Sequence, residues 1–207
     1  FASDGDFSSA GSADVVYRTR LERPLAELTL GQRGYLRSLV AGSTALEDGV
    51  TLLMALERLN NNGPWAVPEG LRKTNAQFIL SGGSPRQGWS ASLSEYSAHW
   101  SATDQVPQRL LDAGTYQGKP FGRFDSIDPT DGARTRRTSL SGSWHQSLER
   151  EVTRVDVYAI GYELQLFSNF TYSLNRTSDQ FAQADSRTVW GGRAYKSWLS
   201  EPGDGPN

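Results

Sequence analysis

The sequence predicts an all-β chain: an antiparallel, up-and-down meander whose strands each carry one polar and one apolar face. Two runs show this best. Ser90, Ser92, Ser94 and Tyr96 alternate with Trp89, Ala91 and Leu93, and Arg137, Ser139, Ser141, Ser143 and His145 alternate with Thr138, Leu140, Gly142 and Trp144. Successive strand side chains point to opposite faces, so a period of two puts the serines on one face and the large apolar groups on the other. The connections give a second observation. From the second predicted strand on, turn-sized and long connections alternate, as in a meander that crosses a bilayer with short turns on one side and long loops on the other. Third, helix signals are poor, and only Gln105–Ala113 reads as a short helical turn.

In chain order, strands are predicted at Leu25–Leu30, Tyr35–Ser43, Val50–Asn60, Arg72–Ser81, Trp89–Ala98, Thr135–Leu148, Val152–Tyr172 and Thr188–Ser197. The pattern over Tyr35–Ser43 fits either phase, and Val152–Tyr172 changes phase near Gly161. In Val50–Asn60, Leu52, Met54 and Leu56 alternate with Leu53, Ala55 and Glu57. The short connections are Leu46-Glu47-Asp48-Gly49, Gly83–Gly88 and Glu149-Arg150-Glu151, rich in the Gly, Asp, Ser and Pro that turns require. The long ones are Asn61–Gly70 and His99–Arg134. With this topology Trp89 opens one strand and Trp144 closes another at the same end of the sheet, on the apolar face, where amphipathic rings favour a membrane–water interface. Two tryptophans of a soluble core are the alternative reading. The tail Glu201–Asn207 is turn chemistry, placed where the next short turn is due.

Composition sets limits on function. Lys plus Arg number 21 against 23 Asp plus Glu, a net charge of −2 that gives no reason to expect a nucleic-acid partner. Cysteine is absent, which excludes disulfides and thiolate metal sites. No stretch of about 18 apolar residues occurs, so no transmembrane helix is expected. Barrel strands need only about 9–11 residues of alternating polarity, and a mean hydropathy of −0.54 fits a barrel with a polar lumen as well as a soluble β protein. No leader peptide opens the chain, and Phe1 is not a natural start, so upstream residues are expected.

Several segments resemble a known family. Gly5–Arg18, a Gly-rich stretch leading into a short strand with a basic end, resembles the end of the plug in TonB-dependent outer-membrane receptors, with Leu25–Leu30 in the place of the first barrel strand. Gly63-Pro64-Trp65, Arg72-Lys73-Thr74-Asn75, Asp104-Gln105-Val106-Pro107, Asp131-Gly132 with Thr135-Arg136, Leu166–Tyr172 and Asp179-Gln180-Phe181 are similar, in order, to landmarks of a proteobacterial branch of these receptors. The resemblance covers almost the whole chain. It implies part of a large barrel of roughly 22 strands closed around a plugged lumen. Residues 1–23 would be the end of the plug, and 24–207 the N-terminal portion of the barrel with a long extracellular loop at 99–134. Further implications are a location in the bacterial outer membrane and active uptake of a scarce nutrient, most often a ferric siderophore. The partners implied are TonB with ExbB and ExbD, lipopolysaccharide and outer-membrane lipid. No covalent chemistry is implied. The other classes the residues allow are a passive porin or small structural outer-membrane barrel, and a soluble carbohydrate-binding β-sandwich.

The candidate site residues follow from residue chemistry. Loops longer than about 12–15 residues are usually functional or disordered, and the stretch 99–134 concentrates aromatic and basic groups. His99, Trp100, Arg123 and Arg134, with Tyr96 and Arg137 on the adjoining polar faces, are the candidate ligand-binding residues. Rings and guanidinium groups suit an anionic, ring-bearing ligand. Packing of the loop against its neighbours is the alternative for each. Arg134, Arg136 and Arg137 form a basic cluster that fits an anionic ligand, lipopolysaccharide phosphates, or pairing with nearby acids. Asp125, Asp128 and Asp131 supply oxygen ligands of the kind calcium takes, although their spacing is not that of an EF-hand and Asp before Pro or Gly is ordinary turn chemistry. His99 and His145 have no metal-binding spacing, and no catalytic constellation is present.

Overall fold

The structure, a computed structural model, describes residues 16–102, 105–172, 174 and 179–198. Eight long strands form one antiparallel sheet: β1 (Leu25–Leu30), β2 (Leu36–Ala45), β3 (Thr51–Asn61), β4 (Leu71–Gly83), β5 (Gln87–Ser101), β8 (Gly132–Ser147), β9 (Glu151–Ser168) and β10 (Phe181–Trp198). Sheet order equals chain order, so each strand pairs with its sequence neighbour and the sheet is a pure meander that does not close on itself. Between β5 and β8 the chain makes one helical turn, α1 (Gln108–Ala113), and a two-stranded ribbon of β6 (Thr115–Tyr116) and β7 (Lys119–Pro120). The connections 46–50, 84–86 and 148–150 lie at one end of the sheet, and 31–35, 62–70, 102–131 and 169–180 at the other. The alternation of short and long connections read from the sequence, from the second strand on, is therefore present; the connection ahead of it, 31–35, is short.

The short turns are built by local chemistry. At 84–86 the Ser84 hydroxyl accepts from the Arg86 and Gln87 amides at 3.3 and 3.2 Å. Gly83 takes φ +99° there, and a Cβ would stand 2.3 Å from the Gln87 carbonyl oxygen, so the position requires glycine. The turn at Glu47–Gly49 is a single 3-10 turn with Asp48 at φ 55°.

Register assigns every strand residue to a face. One face carries Arg37, Leu39, Ala55, Glu57, Asn75, Gln77, Ser92, Ser94, Tyr96, Ser139, Ser141, Tyr158 and Tyr162, which together line a single trough of about 910 Å³. That face is the concave one. The convex face carries Leu28, Val40, Met54, Leu56, Phe78, Leu80, Trp89, Leu93, Leu140, Val157, Trp190 and Trp198, all of them exposed, with Trp190 80% and Leu140 57% accessible, and the half-buried Leu52. Burial is confined to the concave side and the loops: Leu53, Ile79 and Ala98 in the sheet, and Phe121, Ile127 and Ala133 where the long loop packs.

Several expectations change in detail. The strand predicted at Thr188–Ser197 begins at Phe181, and the strand predicted at Val152–Tyr172 ends at Ser168. No phase change occurs at Gly161, which pairs with Thr138 and Thr188 in unbroken register. What changes there is the surroundings. Below Gly161 the apolar residues Val155 and Val157 face outward, and above it Leu164 and Leu166 face inward beneath the loops. β2 takes the phase with Leu36, Ser38 and Val40 outward. The long loop spans 102–131 rather than 99–134, because β5 and β8 continue far enough to absorb His99, Trp100 and Arg134. Residues 1–15 of the expected plug segment, Asp104 and the tail 201–207 lie outside the described residues.

Candidate functional site

The polar side chains of the concave face form cross-strand ladders. Ser92 and Ser141 hydroxyls meet at 2.7 Å, Ser94 donates to Gln77 Oε1 at 2.6 Å, and Ser143 donates to Asp156 Oδ1 at 2.8 Å. These groups are small enough for the strands to curve around a wet trough without closing it. Toward the loop end one row of directly opposed residues runs across the face: Glu27, Leu39, Glu57, Asn75, Tyr96, Arg137, Tyr162 and Arg187.

The two halves of that row differ in charge balance. On the β1–β4 side Glu57 accepts from Arg37 Nε at 2.6 Å and Asn75 Nδ2 at 2.5 Å, with Lys73 Nζ at 3.2 Å, and Arg37 also reaches Glu27 at 2.7 Å. Those charges are matched. On the β5–β9 side Arg137 is exposed and has no hydrogen-bond or ion-pair partner among the described residues. Its register neighbours are Tyr96 and Tyr162, about 5 Å away on either side as directly opposed residues are. The Arg187 guanidinium lies 5.0 Å from the Tyr162 ring centre. An uncompensated guanidinium between two phenol rings favours an anion with a flat or aromatic surface, through bidentate pairing and stacking. The chain also enters this face. Leu21 N donates to Ser43 Oγ at 2.6 Å, Tyr17 lines the trough, and Thr19 lines a smaller pocket with Ser90, Ser143 and His145 near the short turns.

The loops at the far end are ordered by a buried knot. Asn169 is 0% and Asp131 2% exposed. Asn169 Nδ2 donates to Asp131 Oδ1 at 2.9 Å and to Asp128 Oδ2 at 3.3 Å, and Gln180 Nε2 donates to Asp131 Oδ1 at 2.8 Å. Burial raises the Asp128 carboxyl, but hydrogen bonds from the Thr130 side chain and amide and from Asn169 outweigh it, so its pKa lies below the ordinary value. Gly132 starts β8 directly against this knot, where a Cβ would stand 2.4 Å from the Trp100 carbonyl oxygen. Beside the knot, Trp65 and Phe124 rings stand 6.3 Å apart, Arg123 lies 5.3 Å over Phe124, and Val106 and Leu111 complete a pocket of about 570 Å³.

The six residues read as ligand-binding fall into separate groups. Tyr96 and Arg137 stand side by side in the trough, and Trp100 is on the same face nearer the loops. Arg123 lines the loop pocket. His99 and Arg134 are also directly opposed, but on the convex face, so they do not share a cavity with Tyr96 and Arg137. The one-residue offset in β5 and β8 decides this. Asp125 accepts from the Gly122 amide, and Asp128 and Asp131 serve the knot. Among the described residues no group of three or more His, Asp or Glu is arranged to hold a metal ion. Sequence reasoning missed Tyr158 and Tyr162, which stand four apart on the inner side of β9. Their alternation was visible, but only the β8–β9 register sets Tyr162 beside Arg137.

Comparison of the chain with protein-family models, with curated proteins and with solved structures finds no match in any of the three.

Proposed function

We propose that this chain is part of the wall of a transmembrane β-barrel of the bacterial outer membrane, in a TonB-dependent transporter that takes up a scarce nutrient, most readily a ferric siderophore. The observation that carries the reading is the course of the apolar band over the convex face. Its centre on β1, Leu28, aligns through successive registers with Ser97 of β5, and its centre on β10, Ala194, aligns with Trp89. The band thus drifts about eight residues along the strands over seven strand-to-strand steps, about one residue per strand. With about 3.3 Å per residue and about 4.8 Å between strands, a band level with a bilayer then requires strands inclined by about 35°, the inclination found in closed barrels. Two open edges in lipid would leave backbone groups unpaired at several kcal/mol each, so the sheet requires further strands to close it.

A soluble sandwich would bury the apolar face under a second sheet and leave the polar face outside, whereas here the apolar face is convex and open and the polar face encloses a trough. The passive porin differs in having no need of a segment inside the lumen, and the placement of Tyr17 and Thr19 on the concave face favours a plug. The ligand role falls to Arg137, Tyr96 and Tyr162, with Trp100 and the Arg123 pocket above them. Energy would come through TonB with ExbB and ExbD. The test is uptake of an iron-55-loaded siderophore by cells carrying the native protein, with and without TonB. Uptake that disappears without TonB supports the reading. Uptake unchanged without TonB identifies a passive pore, and recovery of the protein in the aqueous phase after detergent partitioning refutes the membrane assignment.

A further inference from the structure

The charges around the trough cancel, with one exception. Glu57 is held by Arg37 at 2.6 Å and Lys73 at 3.2 Å, and Arg37 also reaches Glu27 at 2.7 Å, so two cations face two carboxylates. Glu95, at the margin, is taken by Arg136 at 2.6 Å. Arg187, opposed to Tyr162, lies 3.4 Å from Asp185. Among the described residues, Arg137 is the cation of the trough left without a hydrogen-bond or ion-pair partner. The rings lining the trough are all phenols: Tyr17, Tyr96, Tyr158 and Tyr162. Arg187 stands over Tyr162 at 5.0 Å, and Tyr158 lies against Gly191, where a Cβ would stand 2.7 Å from its hydroxyl. Tyr96 carries no stacked ring or cation among the described residues.

We infer that the trough selects a ligand presenting one singly ionised aromatic carboxylate, paired with Arg137 and stacked on Tyr96. The inference rests on the transport reading above and names the chemical class of its cargo. Charge sets the number. One spare cation balances one negative charge, and a multiply charged anion would bring further charges toward Glu57 and Glu27 with no cation left to meet them. Shape sets the group. A carboxylate offers two coplanar oxygens to the guanidinium fork, and conjugation holds an aromatic ring in the same plane. Position joins the two. Arg137 and Tyr96 are directly opposed, about 5 Å apart, so an acid paired with the guanidinium brings its ring to the open phenol, where offset stacking is favourable. Asn75, on the other side of Tyr96, gives its amide to Glu57 and adds no charge. The trough of about 910 Å³ leaves room for a larger body beyond the ring, so the same chemistry serves a free aromatic acid and one carried on a metal chelate.

The test uses the native protein purified in detergent, with benzoate, cyclohexanecarboxylate, benzyl alcohol, trimesate and inorganic phosphate as probes in titration calorimetry. Benzoate is expected to bind about 5-fold more tightly than cyclohexanecarboxylate, which has the same charge and no π face, and more tightly than the uncharged alcohol, the trianionic trimesate or phosphate. Arg137→Gln should weaken both monocarboxylates alike, about 10-fold. Tyr96→Leu should abolish the preference for benzoate and leave cyclohexanecarboxylate unchanged, and Arg134→Gln, on the convex face, should alter neither. Absence of benzoate binding at millimolar concentration, equal binding of trimesate or phosphate, or a Tyr96→Leu loss shared equally by both acids overturns the proposal. Cell uptake separates the two sources: entry of radiolabelled benzoate assigns the free acid, and entry of iron only on a benzoate-bearing chelate assigns the pendant group. The two layers fail separately. Uptake that persists without TonB refutes the transport reading and leaves the binding preferences standing, whereas TonB-dependent uptake with no preference for aromatic monocarboxylates refutes the carboxylate site alone.

Discussion

Met54→Arg is the substitution that most sharply separates a lipid-facing band from a wet one. Met54 lies at the centre of the band on β3, between Leu52 and Leu56, and is 44% exposed on the convex face. Its cross-strand neighbours are Gly42 and Phe78, so arginine meets no steric obstacle and no carboxylate. If the face is in water, such a surface change alters stability by no more than about 0.5 kcal/mol. If it is in lipid, arginine near the bilayer midplane costs about 2–4 kcal/mol, roughly 30- to 800-fold in the folding equilibrium. The control is Ser186→Arg, on the same face above the band and directly opposite Glu163, where about 0.5 kcal/mol or less is expected. The measurement is denaturant unfolding of the protein in phosphatidylcholine bilayers, followed by tryptophan emission. A Met54→Arg shift no larger than that of Ser186→Arg would refute the assignment of the convex face to lipid.

Three more outcomes are expected. Asn169→Ala removes the donor that joins Asp128 and Asp131 at a fully buried position, and should cost about 2–3 kcal/mol, seen as faster hydrogen exchange and proteolysis in residues 102–131. Acidification should loosen the same loop: the depressed Asp128 pKa means its stabilisation is complete above the ordinary Asp value of about 4 and is lost as pH falls through the folded value. Glu69, raised by burial, acts in the opposite sense, so the comparison to make is protease protection between pH 3 and 6, roughly the range of carboxyl titration, in Asp128→Asn against the parent, with the variant's acid-linked loss reduced. Arg137→Gln removes a cation without a partner and should leave stability within about 0.5 kcal/mol; under the proposed function, binding of an anionic siderophore measured by titration calorimetry should fall about 10-fold.

Much of the fold was legible because it is local. Strand alternation in Trp89–Leu93 and Thr138–Trp144 reports the two faces directly, and Ser84, Gly83 and Asp48 mark turns by their own backbone chemistry. β9 was harder to read. Its apolar side switches from Val155 and Val157 to Leu164 and Leu166, and a sequence pattern reports environment rather than backbone phase. The strand keeps one register while its surroundings change from the band below to the loops above.

The site was legible only as a set of residue types. Rings and guanidinium groups near 99–134 were visible, but which of them share a cavity depends on parity within β5 and β8. Tyr96 and His99 differ by three residues, so they project from opposite faces, and the same holds for Arg134 and Arg137. What the sequence by itself determined is the period of two, the alternating connections and the one polar and one apolar face of each strand, because these follow from neighbours along the chain. Only the tertiary structure decided that the polar face is the concave one, that Arg137 stands free between Tyr96 and Tyr162, and that the apolar band runs diagonally across the sheet. Each of these depends on register between strands up to dozens of residues apart, and register is set by long-range pairing that no local pattern encodes.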